Sequence, residues 1–141
     1  MPIPSHVQLH IVSADRSLVN EQVDEVEIPG ADGYFGVLPG YAPLLALLGM
    51  GELWYRSGQT KHFLSLALGF AEVQPDRVTI LAEIAEKADE IDVVRAEAAK
   101  KRAEERLARR PALEMDFERA RIAMLKSLIR LQVASRARIR S

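Results

Sequence analysis

The chain has 141 residues, 48% hydrophobic and 28% charged, the balance of a folded chain of one or two small domains rather than a disordered one. It contains no cysteine, which excludes disulfides and thiolate metal sites and leaves packing to hold the fold. A net charge of −1 conceals two opposite halves: residues 1–90 carry 5 Lys+Arg against 13 Asp+Glu, and residues 91–141 carry 14 against 7, so the second half suits an acidic protein surface, a phosphate-bearing ligand or nucleic acid.

The opening Met1-Pro2-Ile3-Pro4 has neither the basic start and apolar core of a signal peptide nor the character of a transit peptide, and the chain is expected to stay in the compartment where it is made. Between Val7 and Val12, apolar Val7, Leu9 and Ile11 alternate with Gln8 and His10, the period of a half-buried strand. Ser13 to Ser17 reads as a turn, Val23 to Ile28 as a second strand, and Pro29 to Gly33 as a break before a strand at Tyr34 to Leu38. Gly30, Gly33 and Gly36 are expected to supply positive φ for tight reversals. Ala42 to Met50, the longest apolar stretch, is interrupted by Pro43 and Gly49 and is far shorter than the roughly 20 residues that cross a bilayer. Glu52–Arg56 and Thr60–Leu66 flank Ser57-Gly58-Gln59, and Phe70–Gln74 and Arg77–Ala82 flank Pro75-Asp76, so each pair reads as a hairpin. Short strands at even spacing with Gly and Pro turns predict an antiparallel β-sandwich over residues 1–88.

After Ala88 there is no glycine, and Ala, Glu, Lys and Arg dominate, the residues of highest helix propensity. Asp92 is placed to cap a first helix, whose apolar stripe is Ala96, Ala99, Ala103 and Leu107. Pro111 is expected to end it. Leu113, Phe117, Ala120, Met124, Leu128 and Leu131 form the expected stripe of a second helix. Residues 89–141 are thus predicted as an antiparallel two-helix hairpin, and its alanine face implies weak packing suited to a part that docks in one state and leaves in another. A permanent helical cap on the sandwich is the alternative.

Chemistry-bearing residues are sparse. His6, His10 and His62 lie on separate strand segments without a cluster at metal-ligand spacing, which predicts no metal site. G-x-S-x-G, G-x-x-x-x-G-K-[ST] and G-x-G-x-x-G do not occur, so catalysis is not expected.

Two stretches carry a resemblance. Pro29-Gly-Ala-Asp-Gly-Tyr-Phe-Gly-Val-Leu-Pro-Gly-Tyr-Ala-Pro-Leu-Leu45 and Gly69-Phe-Ala-Glu-Val-Gln-Pro-Asp-Arg-Val-Thr-Ile-Leu-Ala82 resemble, in order and spacing, the epsilon subunit of F-type ATP synthases. The resemblance continues through Ile91-Asp-Val-Val-Arg-Ala96 and Met115-Asp-Phe-Glu-Arg-Ala120 and covers essentially the whole chain. It implies a non-catalytic rotor subunit on the cytoplasmic side of the bacterial inner membrane. Its sandwich would touch the gamma subunit and the membrane ring of c subunits, and its helices, when extended, would reach the alpha and beta subunits and restrain hydrolysis. Family position puts Tyr34 and Phe35 near the ring-facing loop and Tyr41 near gamma, Tyr41 standing where the family usually has histidine.

The resemblance also implies a regulatory ATP, with no required cofactor. In some bacterial members Ile91-Asp92-x-x-Arg95-Ala96 is part of an ATP site, and matching positions add Glu86, Arg102, Lys126 and Arg130. A carboxylate and main-chain groups can hold a base edge while cations hold phosphates. Lys126 stands where arginine is found in members that bind, and lysine lacks the bidentate fork. The same residues also read as a helix cap and solvated charges. Charge alone adds Arg106, Arg109, Arg119, Arg121 and Arg136 as candidates for contact with an acidic surface. A free-standing ATP-sensing protein and a nucleic-acid-binding hairpin are the competing functions, the latter disfavoured by the acids interspersed among the bases.

Overall fold

The computed structural model describes residues 3–109 and 113–140, with side chains through residue 137; the helix break expected at Pro111 lies outside the described residues. The chain divides into two compact units, Met1–Lys87 and Ala88–Ser141.

The first unit is built from strands β1 (Val7–Ser13), β2 (Ser17–Val23), β3 (Glu25–Gly30), β4 (Gly33–Val37), β5 (Leu44–Ser57), β6 (Thr60–Val73) and β7 (Arg77–Lys87). They form one hydrogen-bonded ladder in the order β2-β1-β7-β6-β5-β3-β4. The ladder rolls over on itself, because β2 and β5 touch although β1, β7 and β6 separate them in the ladder. All seven strands contribute to the core enclosed by this roll, among them Leu9, Ile11, Val23, Ile28, Val37, Leu53, Leu64, Leu66 and Ile80. The result is a β-sandwich whose layers are continuous with one another.

Several features of the strand unit differ from the sequence-based expectation. Ser17–Val23 is a strand, paired antiparallel to β1; it follows the turn at the sheet edge, where Asn20, Glu21 and Gln22 weaken its apolar signal. β1 and β7 run parallel, with Leu9 opposite Val78 and Ile11 opposite Ile80, so the sandwich is antiparallel in every pairing but one. The two strand segments Thr60–Leu66 and Phe70–Gln74 belong to a single strand, β6, which ends at Val73. Finally, Gly33 has φ +134° but Gly30 and Gly36 do not lie at positive φ. Gly30 is needed for space instead, since a Cβ there would stand 2.7 Å from the Gly33 carbonyl oxygen.

Midway along β6, Leu68 at φ 62° and Gly69 at φ 125° lie in positive φ. On one side of this point the buried residues include Leu64 and Leu66, on the other Ala71 and Val73, so the core-facing parity reverses. The paired strand β5 reverses at the same level, from Leu48 to Leu53 and Tyr55. A Cβ on Gly69 would collide with the Leu81 carbonyl oxygen of β7, which makes glycine obligatory at the reversal.

A polar clasp closes one end of the strand unit. Asp24 accepts from the Gly58 amide at 2.6 Å, its Oδ1 lies 3.0 Å from His6 Nδ1, and Arg56 lies 3.5 Å away while donating from Nε to Glu25 at 2.8 Å. The Gly58 amide first, then His6 and Arg56, hold the Asp24 carboxyl below its ordinary range.

The second unit begins with a 3-10 turn, Ala88–Glu90, followed by α1 (Val93–Ala108) and α2 (Glu114–Arg140). The helices pack on one another across a short link, which makes the pair antiparallel. Their buried seam is made of small side chains: Ala96 and Ala103 on α1, and Ala120, Ser127 and Ala134 on α2, together with Val133. Seven-residue spacing keeps each set on one face. Counting equal rise back from the link sets Ala103 level with Ala120 and Ala96 level with Ser127. The Ser127 hydroxyl donates to the Ala123 carbonyl at 2.8 Å, so this buried oxygen is satisfied. The stripe expected on α2 is therefore corrected: of its members Ala120 is buried, whereas Leu113, Phe117 and Leu128 are exposed. Facing alanines draw the helix axes together, and long side chains fall outside such a narrow seam.

Candidate functional site

The hairpin carries the residues best suited to a ligand. Asp92 is the N-cap of α1, with φ −78° and ψ 100°; its Oδ1 accepts from the Arg95 amide at 3.0 Å and its carbonyl from the Ala96 amide at 3.0 Å. The carboxylate is exposed at the positive end of the helix, and among the described residues its second oxygen has no protein partner. Ile91 and Ala96 are buried, so their side chains pack rather than reach outward, and the Ala96 amide is already engaged by Asp92.

Arg95 and Arg102 lie two turns apart on α1 and both are exposed; seven-residue spacing places them on one face. Lys126 and Arg130 stand one turn apart on α2 and are half-buried. Antiparallel pairing sets Lys126 and Arg130 level with the first turn of α1, where Asp92 and Arg95 stand, and sets Arg102 nearly two turns nearer the link. Folding therefore brings Asp92, Arg95, Lys126 and Arg130 to one end of the hairpin. Glu86 belongs to the strand unit, in β7 opposite Ser65, which in turn lies opposite Glu52 of β5.

The cations proposed for contact with an acidic surface differ in availability. Arg121 is held by Glu118 through three contacts, the shortest 2.9 Å, and the pairing raises the Arg121 pKa and lowers that of Glu118. Arg106 and Arg109, near the C-terminal end of α1, and Arg119 on α2 line one open cavity with Asp116. Arg136 is half-buried on α2.

On the strand unit, Tyr34 in β4 is exposed, yet its hydroxyl accepts from the Glu52 amide at 3.1 Å. The ring lies over Gly51, where any Cβ would meet the Tyr34 hydroxyl and approach Pro29 Cβ to 2.8 Å. Phe35 and Tyr41 are half-buried against the core, and the Tyr41 amide donates to the Leu38 carbonyl at 3.2 Å. Tyr34 thus presents a ring face, while Phe35 and Tyr41 are partly buried against the core and partly open to a partner.

One surface escaped the sequence reading. Leu47, Phe70 and Leu81 stand opposite one another on β5, β6 and β7 and all three are exposed, with Leu45 70% exposed beside them. A contiguous apolar row on a sheet is the mark of a partner surface. Its signal was present in Phe70-Ala-Glu-Val73, where the small Ala71 faces inward and the large Phe70 outward. Among the described residues no group of His, Cys, Asp and Glu could hold a metal ion, and no helix is long and apolar enough to cross a membrane.

Comparison with known proteins agrees with this architecture. Residues 6–88 match the beta-sandwich domain of the ATP synthase delta/epsilon chain, and residues 89–135 match its long alpha-helix domain. The ATP synthase epsilon chain of Solibacter usitatus is 46% identical over 134 residues, covering 95% of this chain and 99% of the relative. That of Syntrophobacter fumaroxidans is 48% identical over 130 residues, covering 92% and 96%. A chain in the cryo-EM structure of the Euglena gracilis mitochondrial ATP synthase, described as OSCP/F1/c-ring, superposes with a TM-score of 0.81 at 26% identity, covering 95% of this chain and 84% of its own.

Proposed function

This chain belongs to the delta/epsilon family of ATP synthase chains, and from that premise we propose that it is the non-catalytic epsilon subunit of a bacterial rotary ATP synthase, peripheral to the cytoplasmic face of the inner membrane. The strand unit is the attachment part: the apolar row Leu47, Phe70 and Leu81 suits burial against the gamma subunit, and the exposed Tyr34 suits the polar loops of the c ring. The hairpin is the regulatory part, restraining hydrolysis when it opens toward the alpha and beta subunits and releasing the restraint when it closes.

The observation that carries the regulatory reading is the gathering of Asp92 and Arg95 with Lys126 and Arg130 at one end of the closed hairpin. Two of these residues belong to each helical side, so a triphosphate that touches both sides binds the closed form better and shifts the population toward it. At 100 times its dissociation constant a ligand contributes about 2.7 kcal/mol, enough to change the majority form of a weakly sealed pair. Arg102 extends the basic face toward the link.

Calorimetry of ATP binding to the intact protein tests the site, with Asp92→Ala and Arg95→Ala as controls, and a donor–acceptor pair on α1 and α2 tests closure. Binding that weakens at least about tenfold in either variant, with shortening of the donor–acceptor distance, is the expected result. No heat at millimolar ATP, or binding without any change in helix separation, rejects the regulatory reading and leaves Asp92 as a helix cap.

A further inference from the structure

At the linked end of the hairpin, away from the Asp92 cap, Arg106, Arg109 and Arg119 line an open cavity of about 440 Å³ together with Asp116. Arg106 comes from the last turn of α1, Arg109 is the C-cap that follows it, and Arg119 comes from the second turn of α2. Helix electrostatics accounts for part of this arrangement, since cations are favoured at a helix C-terminus. It does not account for Arg119, which lies in the second turn of α2, beyond the first turn over which the dipole acts.

Within the cavity, Arg119 stands 4.0 Å from the Asp116 carboxylate and directs its other terminal nitrogen to the Met115 sulfur at 3.5 Å. Among the described residues neither Arg106 nor Arg109 has a carboxylate partner within ion-pair distance. Among the described residues, three guanidinium groups against one carboxylate leave two uncompensated positive charges around one concavity. Like charges held together in this way repel unless an anion sits between them.

We infer that this cavity is a binding site for a phosphate dianion, free or as the end group of a phosphomonoester. The charge matches, because one dianion neutralises the excess left by Asp116. The donors match as well, since a guanidinium fork meets two oxygens of a tetrahedral phosphate at once and a second fork from the other side meets the remainder. The cavity is wider than one phosphate needs, which leaves room for an organic substituent. A bound dianion joins the end of α1 to the start of α2 and so holds the linked end of the hairpin closed. The site is separate from the Asp92 end and rests on the hairpin geometry alone, not on ATP binding there.

The test is a titration of the intact protein at low ionic strength with inorganic phosphate and with glycerol phosphate, followed by NMR of the arginine side-chain N–H signals. Saturable shifts of Arg106, Arg109 and Arg119 are expected, and Arg106→Gln with Arg109→Gln should weaken binding by roughly tenfold or more. These arginines are exposed, and unchanged helical circular dichroism establishes that the double variant folds. Tighter binding of glycerol phosphate identifies the cavity as a phosphomonoester site, whereas equal binding identifies free phosphate as sufficient. Asp92→Ala should leave the phosphate titration unchanged, which separates this site from the nucleotide reading. The inference is overturned if the double variant binds phosphate as the parent does, if acetate or chloride produces the same shifts at the same concentrations, or if only an acidic peptide binds.

Discussion

In the strand unit the side chains with no solvent exposure include Leu9, Ile11, Ile28, Leu53 and Ile80, whereas among the described residues of the helical unit they are Ala96, Ala120 and Val133. Fully burying a leucine or isoleucine contributes about 1.5–3 kcal/mol, and an alanine contributes far less because it removes little area from water. The two units therefore hold themselves together by different means. The sandwich has a core whose loss unfolds it. The hairpin has a seam that brings two backbones close while leaving Val94, Leu113, Met115, Phe117, Ile122 and Leu128 exposed. A seam of that kind opens at lower cost than a core, and an element that must change partners is drawn from the less stable part of a molecule.

The contrast is broken most directly in the sandwich. Leu53→Ala removes a fully buried side chain and should cost about 2–5 kcal/mol. Trp54, the single tryptophan, is its neighbour in β5 and carries Lys61 over its ring at 4.1 Å, so its fluorescence reports the strand unit during denaturant unfolding. A loss well under about 1 kcal/mol would mean that the core is not where the stability resides.

A smaller effect is expected from filling the seam. Ala103→Leu forces a large side chain between the two helices where Ala103 is 2% exposed, at a cost of about 1–3 kcal/mol. Amide exchange across residues 88–137 should accelerate while the Trp54 transition stays in place. Acceleration in the strands as well would show that the two units unfold as one.

The smallest effect concerns acid. Asp24 has its pKa lowered in the fold, by the Gly58 amide before His6 and Arg56, so its contribution is fully present above the ordinary carboxylate value of about 4 and is lost as pH falls through the lower folded value. Asp24→Asn keeps an acceptor for the Gly58 amide but removes the charge. The parent should lose more stability than this variant between pH 5 and pH 2, roughly the span in which the carboxylate protonates, and parallel pH curves for the two proteins would show that the clasp is electrostatically idle.

Much of this architecture can be read from residue order where the signal is local. Val7, Leu9 and Ile11 alternate and do lie in a strand with those three residues buried, Gly58 sits at positive φ between β5 and β6, and Asp92 caps α1. What escapes the reading is non-local. Nothing in β1 announces that its neighbour will be β7, because periodicity fixes which face is buried and not which strand lies alongside. On α2 the large side chains dominate any hydrophobic pattern, yet Ala120, Ser127 and Ala134 take the seam because the facing helix offers alanines. The convergence of Arg106, Arg109 and Arg119 is hidden for the same reason, as it exists only after two helices have reversed direction around a link.

The parallel pairing of the first strand with the last fixes an order of events during synthesis. Val7–Ser13 can find its neighbour only when residues 77–82 have left the ribosome, so the β5–β6 hairpin, whose pairing spans Leu44 to Val73, is available to form while the N-terminal hairpin still waits with one side unpaired. Long-range strand pairing is slow because the intervening chain must first be ordered. Sheet closure thus falls in the interval when the helical segment is being made, and a pause in translation once Lys87 has cleared the ribosome would favour a closed sandwich before the basic helices emerge.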